Sequence, residues 1–183
     1  MSTTQITWQD TLLLPEDGKR YEAVDGELYV TPAPSLRHQR ISARLFTALA
    51  RLLEEPGHGS VLYAPLGVEF PETQEGVQPD IVYVSSSRSE IFVQEGIRGA
   101  PDLVVEIASP GTADPDRTIK KKLYQRQGVA QYWVVDPDTE SVEVWDFSAG
   151  TEQTARYTDR LPVHLESRSF GAIDLPPVFP PEL

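Results

Sequence analysis

Asp80 and Glu106 are the residues whose types and positions first suggest chemistry. Asp80 opens the apolar segment DIVYV directly after Pro79, and Glu106 interrupts the apolar run of DLVVEI. Burying an unpaired carboxylate is costly or raises its pKa, so Glu106 requires a compensating role. If the two strands are neighbours, the carboxylates converge, and carboxylate oxygens are preferred ligands of Mg²⁺. The pattern predicts a divalent-metal site; the structural alternatives are a turn residue at Asp80 and a half-exposed edge position at Glu106.

A helix predicted from about Asp116 to Gln127 supplies a third group. On a helical wheel, Lys120 and Tyr124 fall on the arc that carries the apolar residues of this helix, whereas the next two lysines point away. An ammonium beside a metal and two carboxylates orients an attacking water or stabilises charge on a phosphoryl group. The competing interpretation is a lysine that snorkels over the helix edge. The position of Glu106 on the preceding strand favours a catalytic Lys120.

Four other residues are secondary candidates for the same site. Glu22 and Glu27, in YEAVDGEL, could add a ligand or hold a metal-bound water, or they could be surface charges of a hairpin. His38 projects on the apolar side of its helix, where it could contact the site or a phosphate, or serve as a hydrogen-bonded structural histidine. Ser109 could cap the turn after the glutamate strand or bind substrate.

An arginine stripe follows one predicted helix. The segment from Ser35 to Glu55 is rich in helix formers, Ser35 is a suitable N-cap, and Pro56-Gly57 ends the helix. The stripe consists of Arg37, Arg40, Arg44 and Arg51. It could contact DNA phosphates, or it could be solvated or face a dimer partner. Because 28 acidic residues oppose 16 basic ones, for a net charge of −12, nucleic-acid binding requires such a local gathering of basic groups.

The elements that must position these residues alternate between strands and helices. A short helix near residues 8–14 precedes a hairpin about Asp25-Gly26, which is a turn signal. The helix of residues 35–55, three strands, the helix of residues 116–127 and two further strands follow. This order predicts the α/β (α+β) class, with one mixed β-sheet flanked by helices.

Several motifs, in order, resemble one known family. They are YEAVDGELY, PAPSLRH, QPDIVYV, APDLVVEIASPGT, GVAQYWVVDP and the D-x-x-x-K-x-x-x-Y pattern at Asp116, Lys120 and Tyr124. Together, over roughly residues 7–177, they are similar to the Uma-type family of restriction endonuclease-like proteins, within the PD-(D/E)XK nuclease superfamily. The resemblance implies a restriction-endonuclease-like core and a divalent-metal site at one edge of the sheet.

The resemblance also implies a role for individual positions. Asp80 matches the aspartate of the PD motif, Glu106 with Ser109 matches the E-x-x-S strand, and Lys120 matches the family's migrated lysine. The superfamily's usual E-x-K would place a lysine at Ala108, so the chain departs from that pattern. The helical wheel reaches Lys120 independently.

Composition limits the class of protein. A chain of 183 residues fits a single domain, 1–183, with a core of about 7–177. The absence of cysteine excludes disulfides, thiolate zinc sites and cysteine nucleophiles. No apolar run approaches the roughly 18 residues of a membrane span, so a soluble cytoplasmic protein without a membrane partner is expected. A glycine-rich phosphate loop is also lacking, and no organic cofactor is expected.

The favoured function is a Mg²⁺- or Mn²⁺-dependent endonuclease acting on DNA. Asp80 and Glu106 would bind the metal, and Lys120 would position the attacking water. The first alternative is a catalytically silent interaction or DNA-binding module on the same fold, and the negative net charge supports the interaction module. A homodimer is expected in either case. A metal-dependent hydrolase of small phosphates is the third possibility.

Overall fold

The central sheet of the protein contains six strands and is mixed. In this computed structural model, residues 5–109, 116–148 and 153–181 are described, the side chains of residues 116, 117 and 153 excepted. The sheet order is β12-β11-β10-β9-β6-β3, and only β9 and β10 run parallel. The strands are β3 (Gly59–Tyr63), β6 (Ile81–Ser85), β9 (Leu103–Ile107), β10 (Gln131–Asp136), β11 (Ser141–Asp146) and β12 (Gln153–Tyr157). β9 therefore lies inside the sheet, as its apolar run predicts.

A second six-stranded sheet, also mixed, has the order β2-β1-β5-β4-β8-β7. Its strands are β1 (Arg20–Val24), β2 (Glu27–Thr31), β4 (Gly67–Phe70), β5 (Glu75–Val77), β7 (Phe92–Val93) and β8 (Gly96–Arg98). A separate antiparallel hairpin is formed by β13 (Arg160–Leu165) and β14 (Arg168–Asp174). The described residues thus form two mixed sheets where the element order predicted one, because the segment SVLYAPLGVEF divides into β3 of one sheet and β4 of the other.

The described helices are few and short. They are α1 (Trp8–Thr11), α2 (Leu36–Leu49) with a π-helical extension (Ala50–Glu54), a 3₁₀ segment (Ser86–Ile91), and a π-helical turn (Asp116–Lys120) that leads into α3 (Lys121–Arg126). Ser35 caps α2 as predicted, because its hydroxyl accepts the His38 N–H at 3.2 Å. Within the described residues, no helix is long and apolar enough to cross a membrane.

The alternation of side chains along β9 assigns its two faces. Val105 and Ile107 pack in the same apolar cluster as Ile41 and Leu45 of α2. Val104 belongs to the opposite cluster, with residues of the second sheet and of α3. Because strand side chains alternate, Glu106 shares the Val104 face. The glutamate therefore points towards the second sheet and α3.

The hairpin predicted about Asp25-Gly26 is confirmed. β1 and β2 pair antiparallel with Val24 opposite Glu27, which leaves Asp25 and Gly26 as the two turn residues. Both have positive φ, 52° and 76°, which suits the tight turn that an Asp-Gly pair favours. The hairpin brings β1 beside β5 of the second sheet.

Candidate active site

Asp80 directly precedes β6, and Glu106 belongs to β9, which is the neighbour of β6 in the sheet. β6 and β9 pair antiparallel with Ile81 opposite Val105, and one further step of this register places Asp80 opposite Glu106. The Ile107 N–H donates to Asp80 Oδ2 at 2.8 Å, which ties the aspartate to the strand of the glutamate. Both carboxylates are almost completely buried.

Asp80 is held by three donors. Arg20 Nη1 lies 2.7 Å from Oδ1, while His38 Nε2, at 3.1 Å, and the Ile107 N–H contact Oδ2. Burial by itself raises the pKa of Asp80. The hydrogen bond from His38, the charge of Arg20 and the Ile107 N–H outweigh burial and lower this pKa to about 2. Asp80 is therefore an anion at neutral pH.

The partners of Glu106 include two groups from one helical turn. Lys120 Nζ lies 2.8 Å from Glu106 Oε1, and the Tyr124 hydroxyl donates to the same oxygen at 2.7 Å. Their spacing of four residues places both side chains on one helix face. Burial, and then the negative charges of Glu106 and Glu22, raise the pKa of Tyr124 well above its ordinary value, so the hydroxyl keeps its proton and donates.

Glu22 belongs to this arrangement, whereas Glu27 does not. The Glu22 side chain is buried in β1, and its two oxygens lie 3.1 and 3.0 Å from Lys120 Nζ. Its Oε1 also accepts the Gln78 N–H at 2.7 Å. Glu27 is exposed beside the hairpin turn, where its carboxylate accepts the Tyr29 hydroxyl at 3.3 Å. The burial of Glu22 does not fit a surface charge of the hairpin.

Arg20 is a member of the site that sequence reasoning missed. Burial lowers the pKa of this guanidinium, but the negative charges of Asp80, Glu106 and Glu22 outweigh it and raise the pKa. One arginine therefore interacts electrostatically with all three carboxylates. A signal was available, because Arg20 and Glu22 alternate along β1 and period-two alternation places two opposite charges on one face.

These five residues, Arg20, Glu22, Asp80, Glu106 and Lys120, form what we call the carboxylate cluster. Its formal charges are three negative and two positive, which leaves one net negative charge in a buried site. Within the described part of the chain, no three histidine, aspartate or glutamate side chains are already gathered so that they could hold a metal ion. In the structure, the carboxylate oxygens contact the guanidinium of Arg20 and the ammonium of Lys120.

A cavity of about 340 Å³ opens beside Asp80. It lies between the loop before β1, the first turns of α2 and the end of β3, and we call it the Asp80 pocket. The residues that line it are Gly18, Lys19, Arg20, Pro34, His38, Gln39, Ser42, Tyr63, Ala64, Pro65, Gln78 and Asp80. Its volume lies within the 300–1,000 Å³ range typical of ligand sites.

The other predicted residues are Ser109, Asp116 and the four arginines of the predicted stripe. Ser109 is half-buried two residues after β9, and the Asp116 side chain lies outside the described residues. Arg37 donates to the Pro137 carbonyl at 2.8 Å, and Arg44 donates to the Pro177 carbonyl at 2.8 Å. A larger groove of about 700 Å³ is lined by Arg44 and Arg51, among other residues, and not by the carboxylate cluster. Arg40 is half-buried on α2.

Comparison with known proteins identifies the family of this chain. The sequence model of the family described as "Uma2: Putative restriction endonuclease" matches residues 8–177. The chain belongs to the Uma2 family. The matched range includes all five residues of the carboxylate cluster and confirms the resemblance drawn from the motifs.

Two proteins with similar sequence or structure can be compared with this Uma2 chain. "Uncharacterized protein slr1290" of Synechocystis sp. (strain ATCC 27184 / PCC 6803 / Kazusa) is 30% identical over 126 residues, which are 69% of this chain and 64% of that protein. The match therefore spans less than two thirds of that relative. The crystal structure of "a putative nuclease belonging to DUF820" from Anabaena variabilis ATCC 29413 superposes with a TM-score of 0.77 at 22% identity, over 95% of this chain and 97% of that chain. The structural likeness confirms the predicted mixed α+β, restriction-endonuclease-like fold.

Proposed function

We propose that this protein is a divalent-metal-dependent endonuclease that hydrolyses DNA phosphodiester bonds. The observation that carries the proposal is the pair of buried carboxylates, Asp80 just before β6 and Glu106 in the neighbouring strand β9, with Lys120 Nζ 2.8 Å from Glu106. The family description and the description of the Anabaena variabilis protein as a nuclease support the same class of reaction.

The donor chemistry of the cluster fits a hard divalent cation. Asp80 and Glu106 would hold it, because Mg²⁺ and Mn²⁺ select carboxylate oxygens and Mg²⁺ often takes only one or two ligands from protein. The net negative charge of the cluster also favours a cation. Each ionised carboxylate oxygen has more than one lone pair, so a hydrogen bond from Arg20 or Lys120 leaves acceptor capacity. When bound, such a cation supplies Lewis-acid polarisation of the phosphodiester and lowers the pKa of a bound water.

Lys120 and Tyr124 orient Glu106 in the site. The Lys120 ammonium is fixed by Glu106 and Glu22, so its charge is already in place when a phosphate approaches. Preorganised charge of this kind stabilises negative charge that develops on a phosphoryl oxygen or orients the attacking water. Tyr124 is a positioning residue, because its hydroxyl fixes the Glu106 oxygen that also contacts Lys120.

Arg20 and His38 orient Asp80 in the site. Together they hold Asp80 as an anion in a fixed orientation, with Arg20 on one oxygen and His38 on the other. A guanidinium beside the Asp80 pocket is also a strong phosphate-binding group. Arg20 would therefore contact the substrate phosphate as well as neutralise the carboxylates.

The test is DNA nicking by purified protein with Mn²⁺ or Mg²⁺. Glu106→Gln is expected to reduce the rate at least about 100-fold, the size of effect seen when one electrostatic contact of an active site is removed. Asp102→Asn is the matched control, because Asp102 is an equally buried carboxylate of the same strand segment outside the cluster. Equal activity of Glu106→Gln and the wild-type protein would overturn the catalytic assignment.

A catalytically silent interaction or DNA-binding module is the second candidate. It is favoured by one observation: Arg20 and Lys120 already occupy oxygens of the carboxylates. Calorimetric titration with Mn²⁺ separates the candidates. A nuclease should bind Mn²⁺ and lose that binding on Asp80→Asn, whereas absence of binding by the wild-type protein would favour the silent module.

We also propose that residues 1–183 form a single domain that associates as a homodimer. Sedimentation equilibrium measures this directly. A molecular mass near 20.4 kDa at all concentrations would contradict the dimer.

A further inference from the structure

The Asp80 pocket contains an aromatic side chain with an open ring face. Tyr63, at the end of β3, is 59% exposed, which is unusual for a large aromatic residue of a sheet strand. Its orientation is fixed, because its ring packs edge-to-face on Phe46 of α2 with 4.7 Å between the centroids. The Ala64 N–H donates to the Asp80 carbonyl at 3.0 Å, so the end of β3 lies directly beside the candidate active site.

Two buried polar atoms of the pocket residues have hydrogen-bonding capacity that the described chain does not use. His38 Nδ1 and Arg20 Nε are buried, and neither has a hydrogen-bond partner in residues 5–109, 116–148 or 153–181. Asp80 is ionised and only accepts, so His38 Nε2 donates to it. Buried polar atoms without a partner are uncommon, and both of these belong to residues that line the pocket.

The charge of the pocket differs from that of the whole chain. Lys19 and Arg20 line it together with the carboxylate of Asp80, and Lys19 Nζ also lies 2.7 Å from the Asp17 carboxylate. The chain as a whole carries −12. Two cationic side chains are therefore gathered at this point of an otherwise acidic protein, where they can contact the phosphate of a ligand.

We propose that the Asp80 pocket binds one unstacked nucleotide of a single-stranded DNA segment. The base stacks on Tyr63, and the adjoining phosphate contacts Lys19 and Arg20. A cavity of about 340 Å³ lies at the small end of the range of ligand sites, which suits a single nucleotide better than a duplex. The inference rests on the proposed function, because it places this nucleotide next to the phosphodiester that the carboxylate cluster would cleave.

The experiment measures DNA binding without cleavage. Fluorescence anisotropy, in EDTA and at low salt, compares a labelled oligothymidylate single strand with a duplex of mixed sequence and equal length. The wild-type protein is expected to bind the single strand more tightly. Tyr63→Ala should weaken this binding about tenfold, because stacking of a base on an aromatic side chain contributes about 1–3 kcal/mol. Tyr63→Phe retains the ring and should bind like the wild-type protein.

Two controls separate stacking from charge. Leu13→Ala removes another exposed apolar side chain, outside the pocket, and should leave binding unchanged. Lys19→Ala should lower the slope of log affinity against log salt by roughly 0.7, as expected for one lost phosphate contact with a single strand. Circular dichroism checks that each variant is folded.

The outcomes distinguish this inference from the proposed function. If Tyr63→Ala binds single strands as well as the wild-type protein, or if the duplex binds at least equally tightly, the pocket assignment is wrong even when the protein cleaves DNA. If single-strand binding depends on Tyr63 but no cleavage occurs with Mn²⁺ or Mg²⁺, the endonuclease proposal fails and the pocket assignment stands.

Discussion

Two buried carboxylates, Asp102 just before β9 and Glu106 near its end, contact different cations. Asp102 precedes the strand, and its Oδ1 lies 2.7 Å from Arg88 Nη1 while its Oδ2 accepts the Ser85 N–H at 2.7 Å. Glu106, four residues later, contacts Lys120 and Tyr124. Both carboxylates are nearly inaccessible to water.

The difference lies in how many groups share each cation. Arg88 contacts one carboxylate and the Ala100 carbonyl, which ties the 3₁₀ segment to the start of β9. Lys120 contacts Glu22 as well as Glu106, and Arg20 adds Asp80 to the same electrostatic group. Burial of a charge therefore shows only that the charge needs a partner. A cluster in which carboxylates outnumber cations, next to a pocket, is the feature that suggests function.

Removing the shared cation should have the largest effect on stability. Lys120→Met leaves Glu106 and Glu22 buried without their common ammonium, and breaking a buried ion pair in this way costs about 3–5 kcal/mol. Urea unfolding at pH 7 measures the loss. A decrease below about 1 kcal/mol would show that water or another cation replaces the ammonium, contrary to the buried arrangement.

Asp80 should give a stability that depends on pH. Its pKa is about 2 in the folded protein against an ordinary value of 3.8, so its ionised form stabilises the fold. The contribution, about 2 kcal/mol, is complete above pH 4 and is lost as the pH falls through 2. The difference in unfolding free energy between the wild-type protein and Asp80→Asn should therefore shrink between pH 4 and pH 2. A difference that stays constant over this range would contradict the lowered pKa.

Arg88→Met tests the other end of the same strand segment. The Arg88 side chain is 34% exposed, so water can reach the carboxylate once the guanidinium is removed, and the Ser85 N–H remains as a donor. We expect a loss of about 1 kcal/mol in urea unfolding. Mn²⁺ binding and DNA cleavage should be unchanged. A change in either would mean that Asp102 is coupled to the carboxylate cluster, and the contrast between the two ends would fail.

The part of the site that follows from local pattern could be predicted from the sequence. The interrupted apolar run identifies Glu106, and the four-residue spacing of Lys120 and Tyr124 places both on one helix face. The strand pairing of Asp80 with the Glu106 strand needed one assumption, that the two strands are neighbours, and the register bears it out.

The rest depends on contacts between distant parts of the chain. Arg20 lies 60 residues before Asp80, and Lys120 lies 98 residues after Glu22, so neither contact has a local signal. The second sheet was missed for a similar reason, because β5, β7 and β8 contain only three, two and three residues. Strands of this length give no readable alternation and form only when the larger sheet is beside them.

Removing the cation of a third carboxylate–cation pair should have the smallest effect on the unfolding free energy. This pair therefore tests the role of burial. Glu69 and Arg98 lie on the neighbouring strands β4 and β8, with 3.1 Å between Arg98 Nε and Glu69 Oε2, and the arginine is 57% exposed. In water the attraction is weak and ordering the two long side chains opposes it, so Arg98→Met should change the unfolding free energy by less than about 0.5 kcal/mol. The three substitutions then rank by exposure of the cation, which is 9% for Lys120, 34% for Arg88 and 57% for Arg98. If all three substitutions lowered the unfolding free energy equally, burial would not determine the strength of these ion pairs. The larger loss expected for Lys120→Met would then have no physical explanation.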